Sequence, residues 1–250
     1  MKVFALADLH LGDAVDKPMD IFGPVWERHT ERIDRNWRAC VGADDWVLVP
    51  GDISWAMTLD EALPDLRFID ALPGRKLLLK GNHDYWWVSR GKVEAILPPS
   101  LRLLQYDAFD LGEGIGVVGT RGWSPPEAPR STPQDKAIYD REILRLQLSL
   151  KAAKGRFDRC IAMLHYPPLY RGVGETAFVP LLREAGVKIC LYGHLHGPDH
   201  RYAVSGERDG IRYYFVAADA VDFTPVEIDI GKGNGGASGA AEVDGGISLG

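Results

Sequence analysis

Apolar positions along the chain gather into short runs rich in valine, leucine and isoleucine at residues 2–7, 46–50, 76–80, 115–119, 160–164 and 188–192. Runs of this length, bounded by polar or turn residues, predict strands buried on both faces. Between them the spacing lengthens. Residues 134–153 predict a helix with Ile138, Ile143, Leu144, Leu146, Leu148 and Leu150 on its apolar side. A second helix starts at Thr58, whose Thr-x-x-Glu spacing to Glu61 makes a capping box. A third segment, 25–40, sets Trp26, Ile33 and Trp37 among charges and reads as an amphipathic surface helix. Strand and helix alternate, so the class is α/β. Beyond the last alternation, 200–204 and 211–217 flank the turn-rich SGERDG and predict a β-hairpin, with a final strand at 224–230. The last twenty residues hold eight glycines and no aromatic, too little apolar surface to offset the entropy of ordering. Residues 1–230 therefore read as one domain, 231–250 as a disordered tail, and the proline-rich stretch 123–135 as a long loop.

Composition narrows the function classes. A chain of 250 residues with 46% hydrophobic and 26% charged positions has enough apolar surface for one large core. The 35 acidic against 29 basic residues give a net charge of −6, which disfavours general binding to nucleic acid or anionic lipid. No apolar run approaches the ~20 residues that span a bilayer, and no secretory leader is legible at Met1, so a cytoplasmic location is expected. Cys40, Cys160 and Cys190 are odd in number and lack C-x-x-C spacing, and they read as thiols, not a disulfide framework.

The chemistry follows the histidines. Of seven, five (His10, His83, His165, His194 and His196) fall at or just beyond the C-terminal ends of apolar runs. Asp8, Asp52 and Asn82 hold equivalent places in DLH, GD and GNHD segments. Strand ends in an open sheet lie side by side, so these residues are expected to converge. Side chains two apart on extended chain point the same way, which lets Asp8 with His10, and His194 with His196, face one site. Adjacent Asn82 and His83 diverge and serve different partners. Carboxylate, imidazole and carboxamide without thiolate suit a divalent ion such as Mn, Fe, Co or Zn. Seven candidate ligands exceed one ion's share. Two ions sharing a carboxylate absorb them, as in two-metal sites for in-line phosphoryl displacement.

DLH, GD, GNHD, the isolated His of LHYPP, and GHLH, in that order, resemble the calcineurin-like metallophosphoesterase superfamily, over about residues 1–230. The resemblance, closest to the small prokaryotic phosphohydrolases of the superfamily, implies a four-layer α-β-β-α sandwich of two packed mixed sheets flanked by helices. It implies two divalent metal ions, one held by Asp8, His10 and His196, the other by Asn82, His165 and His194, with Asp52 bridging. It further implies His83 as general acid while a metal-bridging hydroxide attacks a phosphate monoester or diester in line. The segment GDISWAM lacks the Asp-Arg-Gly continuation of the superfamily's Ser/Thr protein phosphatases, which argues against that activity. The expected substrate is a small-molecule or nucleotide phosphoester; the competing reading is a catalytically silent scaffold that binds a protein partner.

Other residues have two readings each. Asp84 either orients His83 or caps the following segment. Trp55, Trp86, Trp87 and Trp123, near the motifs, are candidates to line a substrate cleft, with packing under loops the competing reading for Trp86 and Trp87. Arg121 and Arg171 are candidates to clamp a second anionic group. His29 reads as solvated and His200 as the start of the hairpin. GIGVVG from Gly114 matches a dinucleotide fingerprint by letter only, because RGWSPP is a poor helix start.

Overall fold

The computed structural model describes residues 1–128 and 131–231, so the expected tail, apart from Gly231, lies outside the described residues. In chain order the strands are β1 (Val3–Ala5), β2 (Trp46–Val49), β3 (Arg75–Leu79), β4 (Leu101–Leu104), β5 (Ala108–Gly112), β6 (Ile115–Thr120), β7 (Arg159–Leu164), β8 (Leu169–Tyr170), β9 (Gly174–Glu175), β10 (Ile189–Tyr192), β11 (Gly206–Arg208), β12 (Ile211–Phe215) and β13 (Val226–Glu227). The α-helices are α1 (His29–Cys40), α2 (Leu59–Ala71), α3 (Arg90–Glu94), α4 (Pro133–Ala153) and α5 (Phe178–Glu184). Two large sheets form, in the orders β13-β1-β2-β3-β4 and β11-β12-β10-β7-β6-β5, with β8 and β9 as a small ribbon. β1 to β4 run parallel, as do β6, β7, β10 and β12, while β13, β5 and β11 pair antiparallel at the edges.

Strand alternation generates the layers, because successive side chains face opposite sides. Val3, Ala5, Trp46, Leu48, Leu77 and Leu79 of the first sheet pack against Val117, Ile161, Met163, Ile189 and Leu191 of the second. Their neighbours Phe4, Val47, Val49 and Leu78 point outward onto Ile33 and Trp37 of α1 and Leu66 and Ile69 of α2. On the far side, Val118, Ala162, Leu164, Cys190 and Tyr192 meet α4 and α5. The result is the four-layer α-β-β-α sandwich. Runs buried on both faces are the physical origin of the unbroken apolar segments in the sequence.

All six apolar runs are strands, and Thr58 with Glu61 closes a reciprocal capping box on α2. Three expectations need correction, and some elements were not foreseen. The hairpin pairs β11 with β12, so SGERDG contains a strand as well as the turn, and residues 197–202 form a 3-10 turn. Residues 25–40 are split: α1 begins at His29, after two 3-10 turns joined at Gly23. Leu144 and Leu148 of α4 are exposed, and the buried face is Tyr139, Glu142, Leu146, Ser149 and Ala153. That face follows the i, i+3, i+4 rule but carries two polar residues: Ser149 Oγ accepts from Gly119 N (2.9 Å) and Glu142 pairs with Arg145 (2.5 Å). Lastly, β4, β5 and α5 had no clear signal in the pattern; they are short, and β5 alternates exposed with buried positions.

Candidate metal centre

The C-terminal ends of strands from both sheets meet at one rim, so convergence draws on two sheets where the sequence suggested one. Asp8 N donates to Gly51 O (2.9 Å) and His10 N to Asp52 O (3.0 Å), which lays the segment after β1 alongside the segment after β2. His165 directly follows β7, and His194 lies two residues beyond β10. Close approach is built into two glycines: a Cβ on Gly81 would overlap Asp52 Oδ1, and one on Gly193 would overlap Asp8 Oδ2. The backbone is also strained here. Asp8, His10, Asp52 and His194 all have positive φ, from 45° to 75°. Non-glycine residues in this region cost energy and persist where surrounding structure fixes them, commonly at functional sites.

Two triads result, Asp8–His10–His196 and Asp52–His165–His194, each with its ligand atoms within 4.8 Å of one another. Asp52 lies between them, its Oδ2 3.8 Å from His10 Nε2 and 3.4 Å from His165 Nε2. Asn82 Oδ1 is 2.7 Å from His165 Nε2, and His194 Nδ1 is 3.3 Å from the same atom. His10 Nε2 and His196 Nε2 face each other at 3.3 Å. The second nitrogen of each of two rings is held by acceptors: His165 Nδ1 donates to Pro50 O (2.9 Å) and His196 Nδ1 to Asp219 Oδ1 (2.9 Å). That arrangement turns both Nε2 lone pairs inward, the orientation a metal requires. Asp8 Oδ1 and His10 Nδ1 are buried with no hydrogen-bond partner among the described residues. An unsatisfied buried polar atom costs ~1–3 kcal/mol. A divalent cation on the inward oxygens and nitrogens suits this donor set.

Electrostatics agree with that fit at His10 and His194. Burial pushes His10 down to about 3 and holds His194 well below the usual histidine value, so both rings are neutral and their lone pairs free. Burial also pushes Asp8 up to about 7, with the nearby Asp52 charge acting the same way. Burial acts to raise Asp52 too, but His165, with His10 and His83, outweighs it and holds the group well below the carboxylate range. Reciprocally, Asp52 overcomes the burial of His165 and lifts it to about 9.

The remaining sequence candidates separate. His83 donates its backbone N–H to Asp52 Oδ1 (2.8 Å), while its ring lies 4.5 Å from Trp55 and 5.8 Å from His10. Asn82 and His83 thus face different partners, as expected. Asp84 does neither job foreseen for it. Its carboxylate accepts from Ile53 N, Ser54 N, Gly81 N and Trp86 Nε1, tying the Asp52 segment to the Asn82 segment. Burial and the nearby Asp52 charge still push it up to about 6. Trp55 stacks on His10 (4.9 Å, 24°) and belongs to the site. Trp123 is one ring removed: it packs on Tyr166, which in turn lies 3.8 Å from His194. Arg121 pairs with buried Glu142 (3.5 Å) and stacks over Trp123, and exposed Arg171 donates to Ala203 O (3.3 Å); neither side chain is held by the triads. Trp86 and Trp87 are core residues. His29 is half-buried between Trp26 and Phe223 and donates to His10 O (3.2 Å), because α1 packs its first turn under the DLH segment. His200 Nε2 lies 3.1 Å from Asp219 Oδ2, at ion-pair distance but not aligned as a hydrogen bond. Asp219 itself went unremarked in the sequence; its signal was a carboxylate shortly after an apolar run.

Residues 1–198 match the model of the calcineurin-like phosphoesterase family. The chain belongs to the calcineurin-like phosphoesterase family. A gene 66 protein of Mycobacterium phage L5 is 36% identical over 78 residues, 31% of this chain and 37% of the phage protein. The chain spans about two fifths of the length of the curated relatives it matches. The fold is similar to that of phosphopantetheinyl hydrolase (PptH) from Mycobacterium tuberculosis, with TM-score 0.55 at 14% identity over 91% of this chain and 95% of that one. It is also similar to TT1561 of Thermus thermophilus, with TM-score 0.52 at 14% identity over 78% and 81% of the two chains. At these identities the structural likeness is one of fold. The family match ends before β12, so Asp219 lies beyond it.

Proposed function

We propose that the protein is a phosphoester hydrolase that uses two divalent metal ions. The observation that carries this reading is Asp52, a buried, ionised carboxylate within 4 Å of a nitrogen in each of two histidine-bearing sets. Asp8, His10 and His196 would hold one ion and Asn82, His165 and His194 the other, with Asp52 in reach of both sets. Such ions would supply activation of water as a nucleophile and neutralisation of phosphate charge. Asp84 keeps the Asp52 and Asn82 segments in register, so both ligands sit ready. His83, beside the ligands and half-buried, is the group placed to protonate the leaving oxygen, a contribution of roughly 10² to 10⁴-fold; burial lowers its pKa, so this role is favoured as the pH falls. Trp55 holds the His10 ring by stacking and the His83 ring by a tilted contact. Family membership supports phosphoester chemistry, and the hydrolase named among the proteins of similar fold is in keeping with a small-molecule phosphoester as substrate.

The test is hydrolysis of matched aryl phosphate monoesters and diesters by chelated protein reloaded with Mn, Zn or Fe. Reloading restores turnover in the native chain. Asp52→Asn loses turnover together with much of the bound metal, whereas His83→Ala keeps both ions and fails chiefly on poor leaving groups. Full metal content in Asp52→Asn, or turnover indifferent to chelation, overturns the reading.

A further inference from the structure

Beside the ligand cluster lies a cavity of about 290 Å³, near the lower end of small-molecule sites. Its floor is three imidazoles, His10, His83 and His196. Its walls are apolar. Trp26 is 3% exposed and held edge-on by His10, His196 and Phe223, and Trp55 donates from its one polar atom to Met19 Sδ (3.0 Å), another lining residue. Phe22 and Val25 form the mouth at 62% and 40% exposure, and Ile21, at 71%, extends the apolar surface outward. These three stand on the two 3-10 turns before α1. Among the described residues no carboxylate, ammonium or guanidinium lines the cavity itself; the Lys17 ammonium stands next to it, over the Trp55 ring (5.2 Å).

Position gives this cavity its meaning. His83 is the proposed proton donor, so the group that departs with the leaving oxygen must lie against it, and the cavity is the space against it. We infer that the alcohol portion of the ester is apolar, an aryl group or an alkyl chain, and that the wall formed by Trp26, Trp55, Phe22 and Val25 selects it. A sugar or a polyphosphate would leave its hydroxyls or charges unpaired there, since nothing on the walls can receive them. The inference rests on the phosphoesterase reading for the placement of the phosphorus.

Alkyl phosphonates, which are not hydrolysed, test it without turnover. Binding of methyl-, butyl- and octylphosphonate to manganese-loaded protein is measured by calorimetry. Affinity should rise by up to about fourfold per methylene buried until the cavity is filled, leaving octyl at least ~10-fold tighter than methyl. The double substitution Phe22→Asp, Val25→Asp should bring that ratio below about threefold, and Leu144→Asp, on the exposed face of α4, should leave it as in the native chain. Equal affinities across the series, or a ratio untouched by the double substitution, overturn the inference. A preserved preference in a protein that hydrolyses no ester upholds the apolar subsite and sinks the hydrolase reading alone.

Discussion

Asp219 shows how one side chain outside the triads governs them. Its Oδ1 takes the Nδ1 proton of His196 and its Oδ2 accepts from Gly197 N (3.1 Å), so the ring can neither flip nor change tautomer without breaking a bond. Burial would raise this carboxylate, but the bond to His196 outweighs it and holds it below its usual value. Carboxylates that orient a metal-bound imidazole are worth about 10–100-fold in metal affinity. Asp219→Ala should therefore weaken Mn binding by that factor at the Asp8–His10–His196 set and spare the other. Calorimetric titration separates the two sites; equal loss at both, or none, would contradict it. Such a residue was legible in kind, because a carboxylate following an apolar run is the rule that found Asp8 and Asp52. It escaped because the sequence around β12 read as a hairpin arm, and a pairing across the rim leaves no spacing along the chain. The contacts of Asp84, Arg121 and His29 were hidden for the same reason: each is decided by a non-local partner.

Lys76 is the comparable case among elements. It stands on the outer face of β3, fully buried, and its ammonium donates to Asp70 O (3.2 Å), Leu72 O and Ser100 Oγ (3.1 Å). Two of these acceptors belong to the C-terminal turn of α2 and its cap, where a cation meets both the free carbonyls and the helix dipole. Burial lowers this lysine to about 8. An unfolded lysine titrates at ~10.4, so between about pH 8 and 10 the unfolded chain binds more protons and stability contributed by this group rises with pH. Urea unfolding across that window should show a rise in the native chain relative to Lys76→Met. At pH 7 the substitution should cost ~1–3 kcal/mol for the stranded carbonyls, and unchanged stability would remove Lys76 from this role. Elements were legible wherever pattern and period agreed, as in the six apolar runs and the Thr58–Glu61 cap. They were obscure where a buried face carries polar groups, as on α4 with Glu142 and Ser149, or where a strand is short and half-exposed, as in β5.

Across the whole molecule, the candidate ligands come from the first sheet through Asp8, His10, Asp52 and Asn82, and from the second through His165, His194 and His196. Neither of the two triads that meet at Asp52 is complete on one layer, since Asp8 and His10 need His196, and Asp52 needs His165 and His194. Metal binding must then couple to the packing of the two sheets, not to a local loop. A ligand that binds only the folded state stabilises it by about 2.7 kcal/mol at 100 times its dissociation constant. For a domain of this size, ~1 kcal/mol shifts the melting temperature by roughly 2–4 °C. Saturating manganese should accordingly raise Tm by about 5–10 °C over chelated protein, in one cooperative transition. Asp52→Asn should lose most of that increment because both sets share the carboxylate, whereas His83→Ala should keep it. Differential scanning calorimetry reads all three. A metal-induced shift confined to a separate early transition would mean that the rim melts independently of the sandwich, and the coupling argued from its two-sheet construction would fall.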